Sequence, residues 1–151
     1  MTEEVDASHE PSIAPVGTLK GDVGADDWCG HQWSSWHSLP SVLGDPQVST
    51  GSAGLYRLHH KGAALLLYIG QGRVLNRLSA HWRKTFNASD MQGRIFGAVS
   101  HLECSWVMND FWLSHQRLEL ENDLIAAHIL NTGQVPVAQF IGGAHYAPSE
   151  I

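Results

Sequence analysis

Two short apolar runs, Gly54 to His60 and Ala64 to Ile69, flank Lys61-Gly62, and this arrangement puts an antiparallel hairpin at the centre of any fold the chain adopts. The first run alternates like a strand and the second reads as a buried strand. A lone hairpin is marginal in water, so the chain must supply further strands or covering helices. Val74 to Lys84 has helical spacing, with Val74, Leu75, Leu78 and Trp82 apolar. Asn87 to Gly97 is polar and reads as a loop, and Ala98 to Met108 suits a third strand. Phe111 to Leu130 predicts a long helix stopped by Asn131-Thr132-Gly133, and Val135 to Ile141 an edge strand. Strands come first and helices follow. The expected class is therefore α+β, a three-stranded antiparallel sheet flanked by helices.

The rest of the chain sorts by composition. Residues 1–25 are acidic and rich in Gly and Pro, as expected of a flexible tail. Residues 26–50 carry Trp28, Trp33 and Trp36, too much apolar surface to leave in water, so this extension is expected to pack on the domain at 51–151. The longest apolar stretch is far too short to cross a bilayer, and the first ten residues lack a signal-like apolar core. Cys29 and Cys104 make no disulfide framework, which points to free thiols and a cytoplasmic setting. Cys29, His31 and His37 lack a fourth ligand at zinc spacing.

A net charge of −6 argues at face value against nucleic acid, but the charge is unevenly spread. Residues 1–30 hold seven acids against Lys20. Residues 54–94 hold seven Lys/Arg (Arg57, Lys61, Arg73, Arg77, Arg83, Lys84, Arg94) against Asp90 alone. A basic module stands behind an acidic N-terminus.

Within that module the hairpin places a tyrosine on each arm, in Gly54-Leu55-Tyr56 and Tyr68-Ile69-Gly70. Arg77 and His81, four residues apart, leave one face of the following helix. Glu121 lies in the long helix with Leu118, Leu124 and Ile125 on adjoining positions, so it emerges from an apolar stripe where a carboxylate needs a partner. Glu119 has His115 and Asp123 as its neighbours and reads as solvated. Two phenols, a guanidinium, an imidazole and a carboxylate suit phosphodiester hydrolysis. The carboxylate can hold a hard cation, the cations offset phosphoryl charge, and a phenol or imidazole can take a proton.

The ordered set resembles the GIY-YIG nucleases. Gly54-Leu55-Tyr56 is similar to their first tripeptide and Tyr68-Ile69-Gly70 to their second. Arg77 and His81 match the arginine and histidine of the next helix, and Glu121-Asn122-Asp123-Leu124-Ile125 matches the segment of the metal-binding glutamate. The likeness spans about residues 54–141. Leu55 replaces the usual isoleucine. The stretch from Tyr68 to Arg77 is one residue short, so Gly72 is expected to tighten the entry to the helix. Gln139-Phe140 stands where relatives often carry asparagine. The resemblance implies catalytic Tyr56, Tyr68, Arg77, His81 and Glu121, with Glu121 holding one magnesium or manganese ion. It implies an endonuclease acting on nucleic acid, DNA ahead of RNA.

The residues expected to touch substrate are His59, His60, Arg73, Arg83, Lys84, Arg94 and Gln139. The competing readings are a non-catalytic nucleic-acid-binding module and a nuclease subunit of a larger complex. No helix-turn-helix or zinc-finger pattern is visible, so specificity would come from loops such as 85–97, from the N-terminal segment, from a homodimer partner or from another protein.

Overall fold

The computed structural model describes residues 17–45, 48 and 51–141. In chain order the elements are β1 (His37–Ser38), α1 (Leu39–Leu43), β2 (Ala53–His60), β3 (Leu66–Arg73), α2 (Val74–Lys84), α3 (Met91–Gly97), β4 (Leu102–Met108) and α4 (Ser114–Thr132). The class is α+β, and the strands form one antiparallel sheet in the order β1-β4-β2-β3. The sheet has four strands where three were expected. The fourth is β1, whose His37 and Ser38 pair with Cys104 and Glu103. Two exposed polar residues carry no alternation that a sequence pattern could register.

Pairing in β2 places Leu55, Arg57 and His59 on one face and Tyr56, Leu58 and His60 on the other. The first face meets α4 and the tryptophans through Leu55, Ile69, Leu120, Leu124, Trp28 and Trp33. The second meets α1, α2 and α3 through Leu39, Val42, Leu58, Leu78 and Phe96. Both faces are covered, so β2 is buried from Gly54 to His59. The hairpin connection is longer than a two-residue turn, and β3 starts at Leu66 and continues to Arg73. A register shift between Leu58 and His59 absorbs the mismatch.

Four further expectations are corrected. The segment 87–97 is not all loop: Asp90 caps α3 by accepting from the Gly93 amide at 2.8 Å, and Phe96 anchors that helix in the core. The strand expected from Ala98 begins at Leu102. The long helix begins at Ser114, leaving Phe111 95% exposed, and ends at Gly133 in the left-handed region (φ 79°). Residues 135–141 form no strand. Instead the Val137 and Ala138 amides donate to the Leu66 and Leu67 carbonyls. The Gln139 side chain then accepts from the Ile69 amide and donates to the Ile69 carbonyl, both at 2.8 Å. The outer edge of β3 is thereby covered as far as Ile69, and the stretch from Gly70 to Arg73 is left for side chains to surround.

The expected tail lies outside the described residues as far as residue 16, but residues 17–25 are part of the packed body. Val23 is buried, and the Gly24 carbonyl accepts from Trp36 Nε1 at 3.0 Å. The extension packs around a residue that the charge count had put on the nucleic-acid face. Arg57 is fully buried, with its guanidinium 4.2 Å from the Trp33 ring and 4.6 Å from the Trp36 ring, and it donates to the Val23 carbonyl at 2.7 Å. Burial pulls its pKa down to about 9, against the opposing pull of Asp22 and Asp26. A desolvated cation on indole faces is worth about 2 kcal/mol. Arg57 therefore pins the tryptophan segment to the sheet and takes no part in surface charge.

Candidate active site

The end of β3 is shaped by two glycines. Tyr56 sits opposite Gly70 in the β2–β3 pairing, and its ring lies across that position, where any Cβ would collide with Cζ and Oη. Gly72 has φ +126°, a backbone that residues with a Cβ rarely adopt. It turns the strand into α2 at a position where a Cβ would come within 3.0 Å of Arg77 Nε. The glycine at 70 thus admits the tyrosine and the one at 72 admits the arginine. Gly70→Ala is expected to push Tyr56 off its partner, costing about 1–3 kcal/mol through overpacking and most of any catalytic activity. Thermal unfolding and cleavage assays together check this; a destabilised variant that cuts like wild type would separate the Tyr56 position from catalysis.

Tyr56, Tyr68, Arg77 and Glu121 line one small cleft of about 130 Å³, together with Gly70 and Gln71. These residues come from β2, β3, α2 and α4, and the uncovered end of β3 is where α2 and α4 approach each other around the sheet edge. His81 stands behind the cleft. Its Nε2 lies 2.7 Å from Tyr56 Oη, and its ring packs 4.7 Å from Tyr68 and 5.4 Å from Phe96. The Nδ1 atom is buried without a hydrogen-bond partner among the described residues.

Burial sets the protonation states. It pulls His81 down to about 3, helped by the positive charges of Lys84 and Arg77, so the imidazole is neutral at neutral pH. It pushes Tyr56 well above its usual value, with Tyr68 adding to the effect and Arg77 opposing it. Tyr68 is raised for the same first reason. Burial also raises the Glu121 carboxyl, while Arg77 lowers it. Glu121 makes no hydrogen bond or ion pair among the described residues, so only the through-space pull of Arg77 offsets part of its desolvation. The apolar stripe around it is narrower than expected: Leu124 and Ile125 are buried but Leu118 is 48% exposed, and Leu120 is the inward leucine.

Arg73 lies beside this cleft, in an adjoining one shared with Arg77. The other expected contacts are elsewhere. His59 is buried on the opposite sheet face, stacked 3.5 Å from Trp36 and 2.8 Å from the Glu103 carboxylate. His60 is near Ser100 at the hairpin end. The Gln139 amide is committed to both backbone groups of Ile69, which makes it a clamp on β3 in place of the expected substrate contact. Lys84 donates to Gln92 at 2.8 Å and ties α2 to α3, while Arg83 and Arg94 are exposed on those helices. A separate cleft of about 450 Å³, lined in part by Lys61, Trp82, Phe86, Phe96 and His101, shares none of the five proposed catalytic residues.

Sequence reasoning passed over Gln71 and Arg117. Arg117 precedes Glu121 by four residues, so both leave one face of α4, a spacing that could have flagged it. Its Nε donates to Gln71 Oε1 at 3.0 Å and its Nη1 to the Trp112 carbonyl at 2.9 Å. Comparison with family models, with curated proteins and with solved structures gives no match to this chain.

Proposed function

We propose that the chain is a metal-dependent endonuclease of the GIY-YIG type, hydrolysing phosphodiester bonds of nucleic acid, DNA ahead of RNA. The observation that carries this reading is the single cleft in which Tyr56, Tyr68, Arg77 and Glu121 meet, with His81 bonded to Tyr56 behind it. Glu121 offers a half-buried carboxylate, and the phenols and the Gln71 amide supply further oxygens. Among the described residues no group of three or more His, Cys, Asp or Glu forms a metal cage. This donor set suits one hard cation, magnesium or manganese, that takes its remaining ligands from water and substrate. When bound, such an ion offsets charge on the phosphoryl oxygens and acidifies water. Arg77, exposed and with its pKa-lowering effect felt by both tyrosines, presents its planar fork to the phosphate. No described helix is long and apolar enough to cross a membrane. Target choice is assigned to a second copy or a partner protein, since the cleft contains groups for phosphate and protons and few for bases.

The direct test is incubation with plasmid, linear and single-stranded DNA, and with RNA, with and without magnesium or manganese. Cleavage that needs the metal supports the reading, and no cleavage of any substrate counts against it. Arg77→Ala is expected to slow cutting by about 10²–10³, as for loss of another charge-stabilising donor. Arg77→Lys should restore little, because an ammonium lacks the fork. Near wild-type single-turnover rates for the lysine variant would rule out bidentate contact.

A further inference from the structure

We propose that the basic cleft between the start of α2 and the start of α4 holds a second phosphate of the bound strand, the one next to the scissile phosphate. The proposal rests on the nucleic-acid reading above for the nature of the strand, and it assigns Arg117 a role that reading leaves open.

The cleft has a volume of about 510 Å³, room for a sugar–phosphate unit. Arg73, Arg77 and Arg117 all line it, with Asn76 and Gln71, and no carboxylate does. Three guanidinium groups around one concavity repel one another, and an anion between them turns that cost into attraction. Their own contacts leave them able to bind one. Arg77 has no hydrogen bond or ion pair among the described residues. Arg73 reaches only the Gly51 carbonyl, at 3.5 Å, too long to hold it. Arg117 is different: Gln71 and Trp112 fix its Nε and Nη1, leaving Nη2 without a partner among the described residues. It is the preorganised member of the set.

Continuity with the catalytic cleft makes the occupant a neighbouring phosphate. Gln71 and Arg77 line both spaces. Arg117 and Glu121 lie four residues apart on α4, about 6 Å along its axis, which is the scale of the step between adjacent phosphates. A strand whose scissile phosphate lies at Arg77 and Glu121 would run on past Arg117. Such a contact fixes register and direction without reading sequence. Arg117 is then a positioning residue.

The test uses binding in chelator, where no cutting can occur. A short fluorescent duplex and its single strand are titrated by anisotropy across a series of salt concentrations. Arg73→Gln and Arg117→Gln should each flatten the slope of log affinity against log salt by about 0.9 for duplex and 0.7 for single strand, and Arg117→Lys should restore it. Lys20→Gln, an equal charge change outside the cleft, should leave it unchanged. In single turnover with metal, Arg117→Gln should weaken substrate binding more than it slows the chemical step, and the pH profile should keep its shape. Folded Arg73 and Arg117 variants, checked by circular dichroism, that keep the wild-type slope would overturn the subsite even if the protein cuts DNA. Reduced slopes in a protein that never cuts would uphold the subsite and reject the nuclease. Absence of binding by the wild-type protein would overturn both.

Discussion

Glu121→Gln is expected to abolish cleavage, by about 10³ or more, while leaving the protein folded and its melting temperature unchanged or raised. Both halves follow from one geometry. Glu121 projects from α4 into the cleft lined by Tyr56, Tyr68 and Arg77, half-buried, with a carboxyl that burial raises and only Arg77 draws back down. No donor among the described residues is hydrogen-bonded to it and the pull of Arg77 offsets burial only in part, so the carboxylate is an electrostatic liability to the free protein. Glutamine keeps the shape and removes the charge. It therefore relieves desolvation while removing the anionic oxygen that a hard cation needs. Under the proposed function, a residue that costs stability and serves chemistry would show the usual trade between stability and activity. The measurements are plasmid nicking with magnesium or manganese, binding of manganese by calorimetry, and a thermal melt. Full activity in excess chelator, or wild-type cutting by Glu121→Gln, would remove the metal from the reading. A variant that melts far below wild type would show instead that the carboxylate is structural.

The hairpin, α2, the end of the long helix at Gly133 and the α+β class could be read from the chain because each rests on local signals, periodic apolar residues or a glycine stop. The five proposed catalytic residues share that property, since each sits inside or beside an element with a clear pattern. What escaped was built from long-range contacts. β1 is two polar residues whose only reason to be a strand is the open edge of β4. Gln139 substitutes a side-chain amide for a strand's backbone, an arrangement without periodicity. Arg57 looks like any other cation in a basic stretch, and only the three-dimensional fold shows that tryptophans enclose it. The α3 helix was hidden because Gln92 and Gly93 share its buried side with Phe96 and break the apolar pattern, although Asp90 at its start was a usable capping signal. Arg117 lies outside the basic stretch 54–94, and only its four-residue spacing from Glu121 points to it.

Tyr56→Phe is expected to be nearly inactive, while His81→Ala should keep measurable cutting that rises with pH. The buried geometry favours a relay over a free phenolate. An ordinary tyrosine has a pKa of about 10, and reaching about 7 takes roughly 4 kcal/mol of stabilisation. Burial moves Tyr56 the other way, so a standing phenolate is disfavoured. In the proposed reaction a proton can nevertheless pass through the hydroxyl: the attacking water would give one to Tyr56 Oη while Tyr56 donates its own to His81 Nε2, 2.7 Å away. His81 has a ring nitrogen free of a proton because burial and its cationic neighbours keep it neutral, and the same pKa of about 3 makes it a weak base. Its weakness as a base eases when Arg77, one of those cations, engages an anionic phosphate. The pH dependence then has a definite sign. A histidine with its ordinary pKa near 6.5 would protonate below that value and shut the relay. His81, held near 3, stays neutral, so with metal saturating the wild-type rate should show no acid limb at 6.5. Phenylalanine keeps the ring against Gly70 but removes the only oxygen in the relay. Alanine at 81 removes the acceptor but leaves the phenol, which can then pass its proton to solvent as pH rises. Substantial activity in Tyr56→Phe together with none in His81→Ala would give the proton to histidine directly, and an acid limb near 6.5 in the wild-type profile would support that assignment.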